Sequence, residues 1–284
     1  MEPLFDFYAE HAGCGIGSVS SRLACLRNAS VSALARAQDT AQYNCTAPFH
    51  LFHPTLDGKL IVDIPTLSIL QGNLRDIPII VGATSNETLS GGDIPTALKA
   101  FFPGLTDSDI GEYLEVYPSS DFDSDSQRDQ VATGESELIC AREIIGTAAA
   151  KKSKAWTYRY NQAVPTSGSS TVGHASENWM MFQGTSTGFN GSTVFQPMRP
   201  VDKAFAEELI AYWLSFVRAG DPNTYKLARS PTWPSYTTDK KERIVLQEDP
   251  NNSTTISGIF SEMEPDLETK RCLFVASKVH QEQD

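Results

Sequence analysis

The sequence predicts an α/β protein in which helices alternate with a small number of buried strands. Two short runs, Ile77–Val81 and Ala155–Tyr160, are rich in the β-branched and aromatic residues that strands favour. Segments with helical periodicity surround and separate them, and residues 200–219 are the clearest of these. The chain has 284 residues, of which 40% are hydrophobic, so it can bury the core of at least one large domain.

The first part of the chain is predicted to be mostly helical. Apolar residues recur at helical spacing between residues 2 and 40, with a break. An Asp-Gly turn at 57–58 lies between Phe52 and the apolar run Leu60–Val62, which predicts a β-hairpin. Residues 65–72 then predict a short helix that ends at a glycine, just before the first buried strand.

The middle of the chain predicts helices around one polar segment. Small helices are expected between residues 93 and 117, with Thr106 as an N-cap. The polar composition of residues 119–130 predicts a surface loop. Residues 131–152 predict a long helix that leads to the second buried strand.

The last part of the chain predicts one strong helix between loops. Gly/Ser/Thr-rich composition predicts loops at 164–173 and 183–197. The helix 200–219 carries an apolar face and ends at Gly220-Asp221-Pro222. Arg243–Leu246 predicts a last short strand, and residues 249–284 are expected to form a polar tail.

The charge of the chain excludes two kinds of binding surface. The formal net charge is −12, whereas nucleic acids and anionic membranes bind clustered basic residues. The compact basic run Lys151–Lys154 is expected at the solvated end of a helix. No stretch reaches the ~18 apolar residues of a membrane span, and no Cys or His grouping has zinc-ligand spacing. We therefore expect no nucleic-acid partner, no membrane span, no metal and no organic cofactor.

Some features indicate an extracellular protein. Glycosylation sequons occur at Asn28, Asn44, Asn86, Asn190, Asn251 and Asn252. Residues 1–6 nevertheless lack the basic start and apolar run of a signal peptide. We expect that the true N-terminus lies upstream and that the full-length parent is secreted.

The cysteines are consistent with an oxidising compartment. Cys14 and Cys25 bracket a short loop, which predicts either a local disulfide or two buried thiols. The sequence leaves open how Cys45, Cys140 and Cys272 pair.

Two polar side chains follow the predicted strands closely enough to be catalytic. Glu87 lies in a loop of small residues after the first strand, and His174 follows the second strand and a flexible loop. A carboxylate beside a histidine holds its Nδ1–H and stabilises the imidazolium that forms when Nε2 takes a proton from a hydroxyl. Either residue alone is also typical of a solvated loop. Their order along the chain, acid before histidine, favours the catalytic interpretation.

A nucleophile for this pair is missing from the sequence. Gly134-Glu135-Ser136-Glu137-Leu138 mimics the G-x-S-x-G elbow, but its fifth residue is a leucine and no buried strand precedes it. It also lies between the acid and the histidine, whereas the triad order of G-x-S-x-G enzymes places the serine first. No HGGG-type run offers an oxyanion hole. We therefore expect that Ser136 is not a nucleophile.

Several segments together resemble one known family. In chain order these are His11–Cys14 with Leu23–Arg27, Asp57–Pro65, Pro78–Gly82, Asn86–Thr88, Gly173–Glu177, Phe205–Asn223, and Trp233-Pro234 with Tyr236. Their order and spacing resemble the C-terminal half of a type-B carboxylesterase, the α/β-hydrolase family of fungal lipases and cholinesterases. The resemblance runs from about residue 4 to 248, within a single portion that we expect to cover 1–284.

The resemblance implies a partial α/β-hydrolase fold that acts on a small-molecule or lipid ester without a cofactor. It implies that Glu87 is the triad acid, that His174 is the base, and that Cys14 and Cys25 form a disulfide. The N-terminal half that members of the family have, with its serine and oxyanion glycines, is absent from this sequence. The acidic motif ends in Thr88 where the family has glycine, which makes Asn86 a sequon that we expect to be unoccupied.

The sequence is consistent with three interpretations of function. The chain derives from a serine esterase or lipase and is inactive alone, or it is a non-catalytic cholinesterase-like interaction domain, or it is a truncated remnant. Glu87 and His174 favour the first, because adhesion-type relatives keep the fold and lose triad residues. Without its first half, we expect the chain to expose an unpaired strand edge and apolar surface, and so to aggregate.

Overall fold

A computed structural model of the chain describes residues 2–44, 54–89, 91–187 and 193–282. The chain divides into two compact units, Met1–Thr55 and Leu56–Asp284. Helices make up the described part of the first unit. The second unit contains the sheet and all of the candidate catalytic residues.

The first unit is helical with a break, as the sequence predicts. Its helices are α1 (Glu2–His11), α2 (Val19–Asn28) and α3 (Val31–Asn44). The Tyr8 hydroxyl donates to the Leu34 carbonyl at 3.1 Å and so links α1 to α3. A disulfide joins Cys14 to Cys25 across the loop before α2. Cys45 lies outside the described residues.

The second unit alternates helices with strands. Its elements are α4 (Pro65–Leu70), β1 (Ile79–Thr84), α5 (Ile94–Phe101), α6 (Asp107–Val116), a 3₁₀ turn (Ser119–Asp121), α7 (Asp125–Gly134), a π-helical segment (Glu135–Ile139), α8 (Cys140–Ala150), β2 (Ala155–Tyr160), α9 (Glu177–Met181), β3 (Thr185–Thr187), β4 (Thr193–Phe195), α10 (Pro200–Ala219), β5 (Glu242–Leu246), β6 (Phe260–Met263), α11 (Asp266–Ser277) and α12 (Val279–Glu282). The α/β class predicted from the sequence is therefore correct.

The main sheet has four strands in the order β1-β2-β5-β6. β1 and β2 are parallel from the pair Ile79–Ala155 to the pair Thr84–Tyr160. β5 continues the parallel arrangement, and β6 runs antiparallel to β5. The carboxyl ends of β1 and β2 therefore lie side by side, at the edge of the sheet where α/β proteins place their sites.

A buried aromatic cluster packs helix α10 against the sheet. It includes Trp156 and Tyr160 from β2, Leu209 and Tyr212 from α10, and Trp233. The Trp233 indole donates to the Thr157 carbonyl at 3.0 Å, which satisfies a buried polar group in the middle of the cluster. α10 ends where the sequence predicts, because Gly220 adopts the left-handed conformation (φ 66°) that terminates helices.

Gly82 leaves space for the Tyr158 side chain to lie over the neighbouring strand. The two residues are register partners in β1 and β2. A Cβ atom at position 82 would lie 2.1 Å from the Tyr158 ring, so the ring occupies the space that a side chain would need. The glycine therefore allows this ring to lie flat over β1.

Two local predictions were wrong because side chains satisfy the backbone differently. Residues 60–62 form no strand, since the Asp57 carboxylate accepts the amides of Lys59, Leu60 and Ile61 and closes a local turn. Phe52, the other half of that predicted hairpin, lies outside the described residues. The predicted loop 119–130 instead contains the start of α7, which Ser124 caps by accepting the Gln127 amide.

The segment predicted as a polar tail is an integral part of the fold. It forms β6, α11 and α12, and a disulfide joins Cys272 of α11 to Cys140 of α8. The prediction of a solvated tail was wrong because several acids of this segment pair with arginines of earlier elements. Glu262, for example, accepts hydrogen bonds from Arg159 and Arg243.

Candidate active site

Glu87 lies in a loop that turns back toward the end of β1. The strand ends at Thr84, and the Thr84 amide donates to Glu87 Oε1 at 2.6 Å. The residue is 4% exposed. A buried carboxylate needs hydrogen-bond donors to offset its lost hydration. The Thr84 amide supplies one of them and fixes the rotation of the carboxyl group.

His174 is held beside this loop by a short backbone pairing. Asn86 and Gly173 form a parallel bridge, in which the Asn86 amide donates to the Val172 carbonyl at 3.0 Å. Ala175, directly after the histidine, has φ 63°, a conformation that is uncommon for residues other than glycine. Such strain is tolerated where the surroundings over-determine it. The pairing and this turn together set the position of the imidazole.

Glu87 and His174 contact each other directly. His174 Nδ1 lies 2.6 Å from Glu87 Oε2, a short hydrogen bond of the kind that a charged partner favours. The His174 side chain is 51% exposed, whereas that of Glu87 is 6% exposed. Within the described part of the chain, no group hydrogen-bonds to His174 Nε2. The carboxylate therefore orients a ring whose second nitrogen can accept a proton from a group outside it.

A second acid lies next to the pair. Glu177, at the start of α9, accepts the Tyr158 hydroxyl at 3.3 Å. Burial raises the pKa of Glu177, and the negative charge of Glu87 adds to that rise. Burial likewise raises the pKa of Tyr158 well above its ordinary value. Glu87, and not Glu177, is the acid whose carboxylate contacts His174 Nδ1.

The structure places Ser136 away from any elbow. It lies inside the π-helical segment, is buried, and its hydroxyl donates to the Ala132 carbonyl at 2.7 Å. Two residues near it, Gly134 and Glu137, face the acidic loop instead. The carboxylate of Glu137 accepts the Leu89 amide, a contact between residues 48 apart that no local sequence pattern indicates.

The neighbouring Glu135 is also a buried acid, but its partners lie away from the acidic loop. It accepts the Tyr117 hydroxyl at 2.8 Å, and Arg271 lies 3.9 Å away. Burial raises the pKa of Glu135 from its ordinary 4.5 to about 7. The charges of Glu268 and Glu143 act in the same direction, whereas Tyr117 and Arg271 oppose the rise.

This raised pKa predicts a loss of stability with rising pH. Because the folded state binds the Glu135 proton more tightly than the unfolded state, its contribution is complete below pH 4.5 and is lost as the pH rises through about 7. We expect Glu135→Gln to remove that part of the pH dependence. Urea unfolding of both proteins at pH 5, 6, 7 and 8 measures it. Parallel stability curves for the two proteins would show that Glu135 does not titrate in this range.

Two features are absent from the described residues. No group of three or more His, Cys, Asp and Glu side chains there has the geometry to hold a metal ion. None of the described helices combines the length and the hydrophobicity that a transmembrane segment requires.

Comparison with known proteins gives consistent matches. A sequence model described as the carboxylesterase family matches residues 3–100 and 102–275. Secreted lipase 4 of Gibberella zeae is 24% identical over 270 residues, which cover 86% of this chain and 46% of the lipase. Thyroglobulin of Mus musculus is 23% identical over 259 residues, which cover 80% of this chain and 9% of thyroglobulin.

A solved structure matches over the whole chain. Aspergillus niger EstA aligns with a TM-score of 0.76 at 22% identity, and the match covers 100% of this chain and 56% of EstA. The chain thus spans about half the length of EstA, and less of the two sequence relatives.

Proposed function

The chain belongs to the carboxylesterase family and has part of an α/β-hydrolase fold, and from this premise we propose that it carries the acid and the base of a serine ester hydrolase. The observation that supports this most directly is the 2.6 Å contact between Glu87 Oε2 and His174 Nδ1. The histidine ring is exposed and can accept a proton from a reacting group, whereas the acid that stabilises the resulting charge is buried. The partner that donates the proton would be a serine hydroxyl.

In the proposed reaction, His174 moves protons and Glu87 stabilises its charge. Nε2 takes the serine proton as the serine oxygen attacks the ester carbonyl, and the imidazolium then gives that proton to the departing alkoxide. Water repeats the sequence on the acyl-enzyme and releases the acid. Glu87 stays ionised throughout and holds Nδ1–H, which keeps the ring in the correct tautomer.

We propose that the serine and the oxyanion donors come from protein outside this chain. β1 is the outer strand of the sheet, and among the described residues only β2 pairs with it. Strands of parallel sheets are usually paired on both sides and covered on both faces. A further strand on the free edge of β1 would bring its carboxyl end close to Glu87 and His174. The length of the relatives, about twice that of this chain, leaves room for such a segment.

This proposal predicts that the isolated chain does not turn over esters. With an unactivated alkyl ester such as ethyl butyrate, we expect the same rate for the chain and for His174→Ala, because the serine whose hydroxyl His174 would deprotonate is proposed to lie outside this chain. An alkyl ester is needed, since free imidazoles attack activated aryl esters on their own. The control is His280→Ala, which removes an exposed histidine of α12. A turnover that disappears only in His174→Ala would mean that the chain holds its own nucleophile.

The decisive experiment is to read the 5′ end of the native transcript in the protein frame. An upstream G-x-S-x-G after a strand would complete the triad. In the extended protein, Glu87→Gln and His174→Ala should then each lower kcat by about a thousandfold or more. If both variants keep full activity, the proposed roles are wrong. If transcription begins at Met1, the chain is a non-catalytic remnant.

The class of substrate follows from the proposed chemistry. It is a carboxylic ester of a small molecule or a lipid, and the full-length protein would be secreted, as the name of the Gibberella zeae relative indicates for that protein. An interaction domain without catalysis is the alternative. The intact Glu87–His174 contact argues against it, because binding alone needs no oriented imidazole.

A further inference from the structure

We propose that Glu137 is a positioning residue for the Glu87–His174 pair, acting by holding the backbone of the acidic loop (residues 85–89) from the helix side. The inference rests on the proposed catalytic role of that pair. It assigns a function to the segment Gly134–Leu138, whose likeness to a nucleophile elbow has no catalytic meaning in the structure.

The contact that carries this inference joins a buried carboxylate to the loop backbone. Glu137 Oε2 accepts the Leu89 amide at 2.5 Å, and Glu137 is 4% exposed. Leu89 lies two residues after the acid that contacts His174. Burying a carboxylate is unfavourable unless charge-assisted hydrogen bonds compensate it. The loop amide is such a donor, so an acid at this position ties the loop firmly to the helix.

Other residues on the same helix face contact the same loop. The Thr88 hydroxyl donates to the Gln130 carbonyl at 2.8 Å, and it lies 3.1 Å from the Thr133 hydroxyl. Residues 130, 133, 134 and 137 are spaced by three and four, which places them along one side of a helix. The contacts therefore form one continuous attachment between the loop and the helix.

Gly134 shows how closely the two backbones approach. A Cβ atom added there would lie 3.3 Å from the Glu87 amide nitrogen and 3.4 Å from that of Thr88. A larger residue at position 134 would therefore press on the loop at the catalytic acid itself. The helix face thus matches the acidic loop in shape as well as in hydrogen bonding.

The two buried glutamates of the π-helical segment serve different surroundings. Glu135 accepts the Tyr117 hydroxyl, whereas Glu137 accepts the loop amide. π-helical turns occur frequently at functional sites. Here the segment presents one acid to the interior of the helical layer and the other to the candidate active site.

The test measures the His174–Glu87 hydrogen bond directly in the full chain. Proton NMR should show a strongly downfield His174 Nδ1–H resonance, identified by its absence from His174→Ala and lost in Glu87→Gln. In Glu137→Ala we expect this resonance to lose at least about half of its intensity. The Leu89 amide should exchange with solvent about tenfold faster, the factor that corresponds to one lost hydrogen bond. Glu137→Gln should keep both signals, because its amide oxygen also accepts the Leu89 amide.

Ser136→Ala is the matched control, since it removes a buried polar group from the same turn without touching the loop. If Glu137→Ala behaves like this control, the positioning role is wrong. If Glu137→Ala unfolds, Glu137→Met fills the same space without an acceptor and is judged by the same criteria. A separate outcome would contradict the proposed acid–base pair itself: a His174 resonance that is unchanged in Glu87→Gln. A loss in Glu87→Gln without any loss in the Glu137 variants overturns only the present inference.

Discussion

Replacing Cys140 and Cys272 together by alanine should lower the free energy of unfolding of the unit Leu56–Asp284 by about 5 kcal/mol. The two cysteines are 132 residues apart in sequence and are joined by a disulfide. In the chain-entropy description, a crosslink stabilises the folded state by restricting the unfolded chain, and the effect grows with the logarithm of the loop length. This disulfide closes most of the unit into one loop. It also fastens α11 to α8, the helix that continues from the π-helical segment against the acidic loop.

Urea unfolding followed by tryptophan fluorescence measures this loss. All four tryptophans of the chain, at positions 156, 179, 213 and 233, lie in the same unit, so the signal reports on it alone. The control is the double variant Cys14→Ala/Cys25→Ala, which removes a disulfide spanning 11 residues in the other unit. We expect the control to leave the tryptophan transition in place. A loss below about 1 kcal/mol in the first variant would mean that its unfolded state is already compact.

The elements that the sequence predicts well are those whose own residues determine them. Helix α10 has a wide apolar face and a terminating glycine, and β2 has aromatic residues that fit a buried strand. The two candidate site residues, Glu87 and His174, were identified by their positions after strands, and the structure brings their side chains to 2.6 Å. Local pattern was sufficient for the helix and the strand, because each depends on neighbours in sequence. The pairing of Glu87 with His174, 87 residues apart, was expected from their order along the chain and from the resemblance to the family, and their catalytic roles stay a proposal.

The elements that the sequence missed depend on partners far along the chain. The segment that contains β6 and α11 has acidic residues of the kind that usually face water. Two of them, Glu264 and Glu268, instead pair with Arg142, more than a hundred residues earlier. The Glu137–Leu89 contact spans 48 residues and joins two segments without any shared motif. No local pattern distinguishes an acid that faces water from one that faces a buried arginine or a loop amide. Such pairings become visible only when the fold is known.

One of these long-range pairs gives the second large expected effect. Replacing Arg142 by methionine should lower the free energy of unfolding by about 3–5 kcal/mol. The side chains of Arg142 and Glu264 are 1% and 0% exposed, and they form an ion pair. Arg142 also bonds Glu268 at 2.6 Å, but Glu268 keeps Arg243 as a partner after the substitution. Glu264 keeps the Tyr236 hydroxyl at 2.9 Å but loses the positive charge that compensates its burial.

The pH dependence of this loss identifies its cause. Burial already raises the pKa of Glu264, and the charge of Arg142 is the largest influence that opposes the rise. Without Arg142 the carboxyl group binds its proton more tightly in the folded state. Stability should therefore be least affected near pH 4.5 and should fall further as the pH rises toward 8. Urea unfolding at pH 5 and pH 8 measures the difference.

Two further variants separate the buried charge from a simple loss of packing. Arg142→Met/Glu264→Gln should recover much of the stability at pH 8, because no uncompensated carboxylate remains. Lys99→Met breaks a pair whose side chains are 41% and 95% exposed, and it should change stability by less than about 1 kcal/mol. If the double variant is as unstable as Arg142→Met and neither depends on pH, the arginine acts through the packing of its side chain. If the double variant recovers stability at pH 8, buried charge pairing holds in the fold the segment that the sequence predicted to be a polar tail.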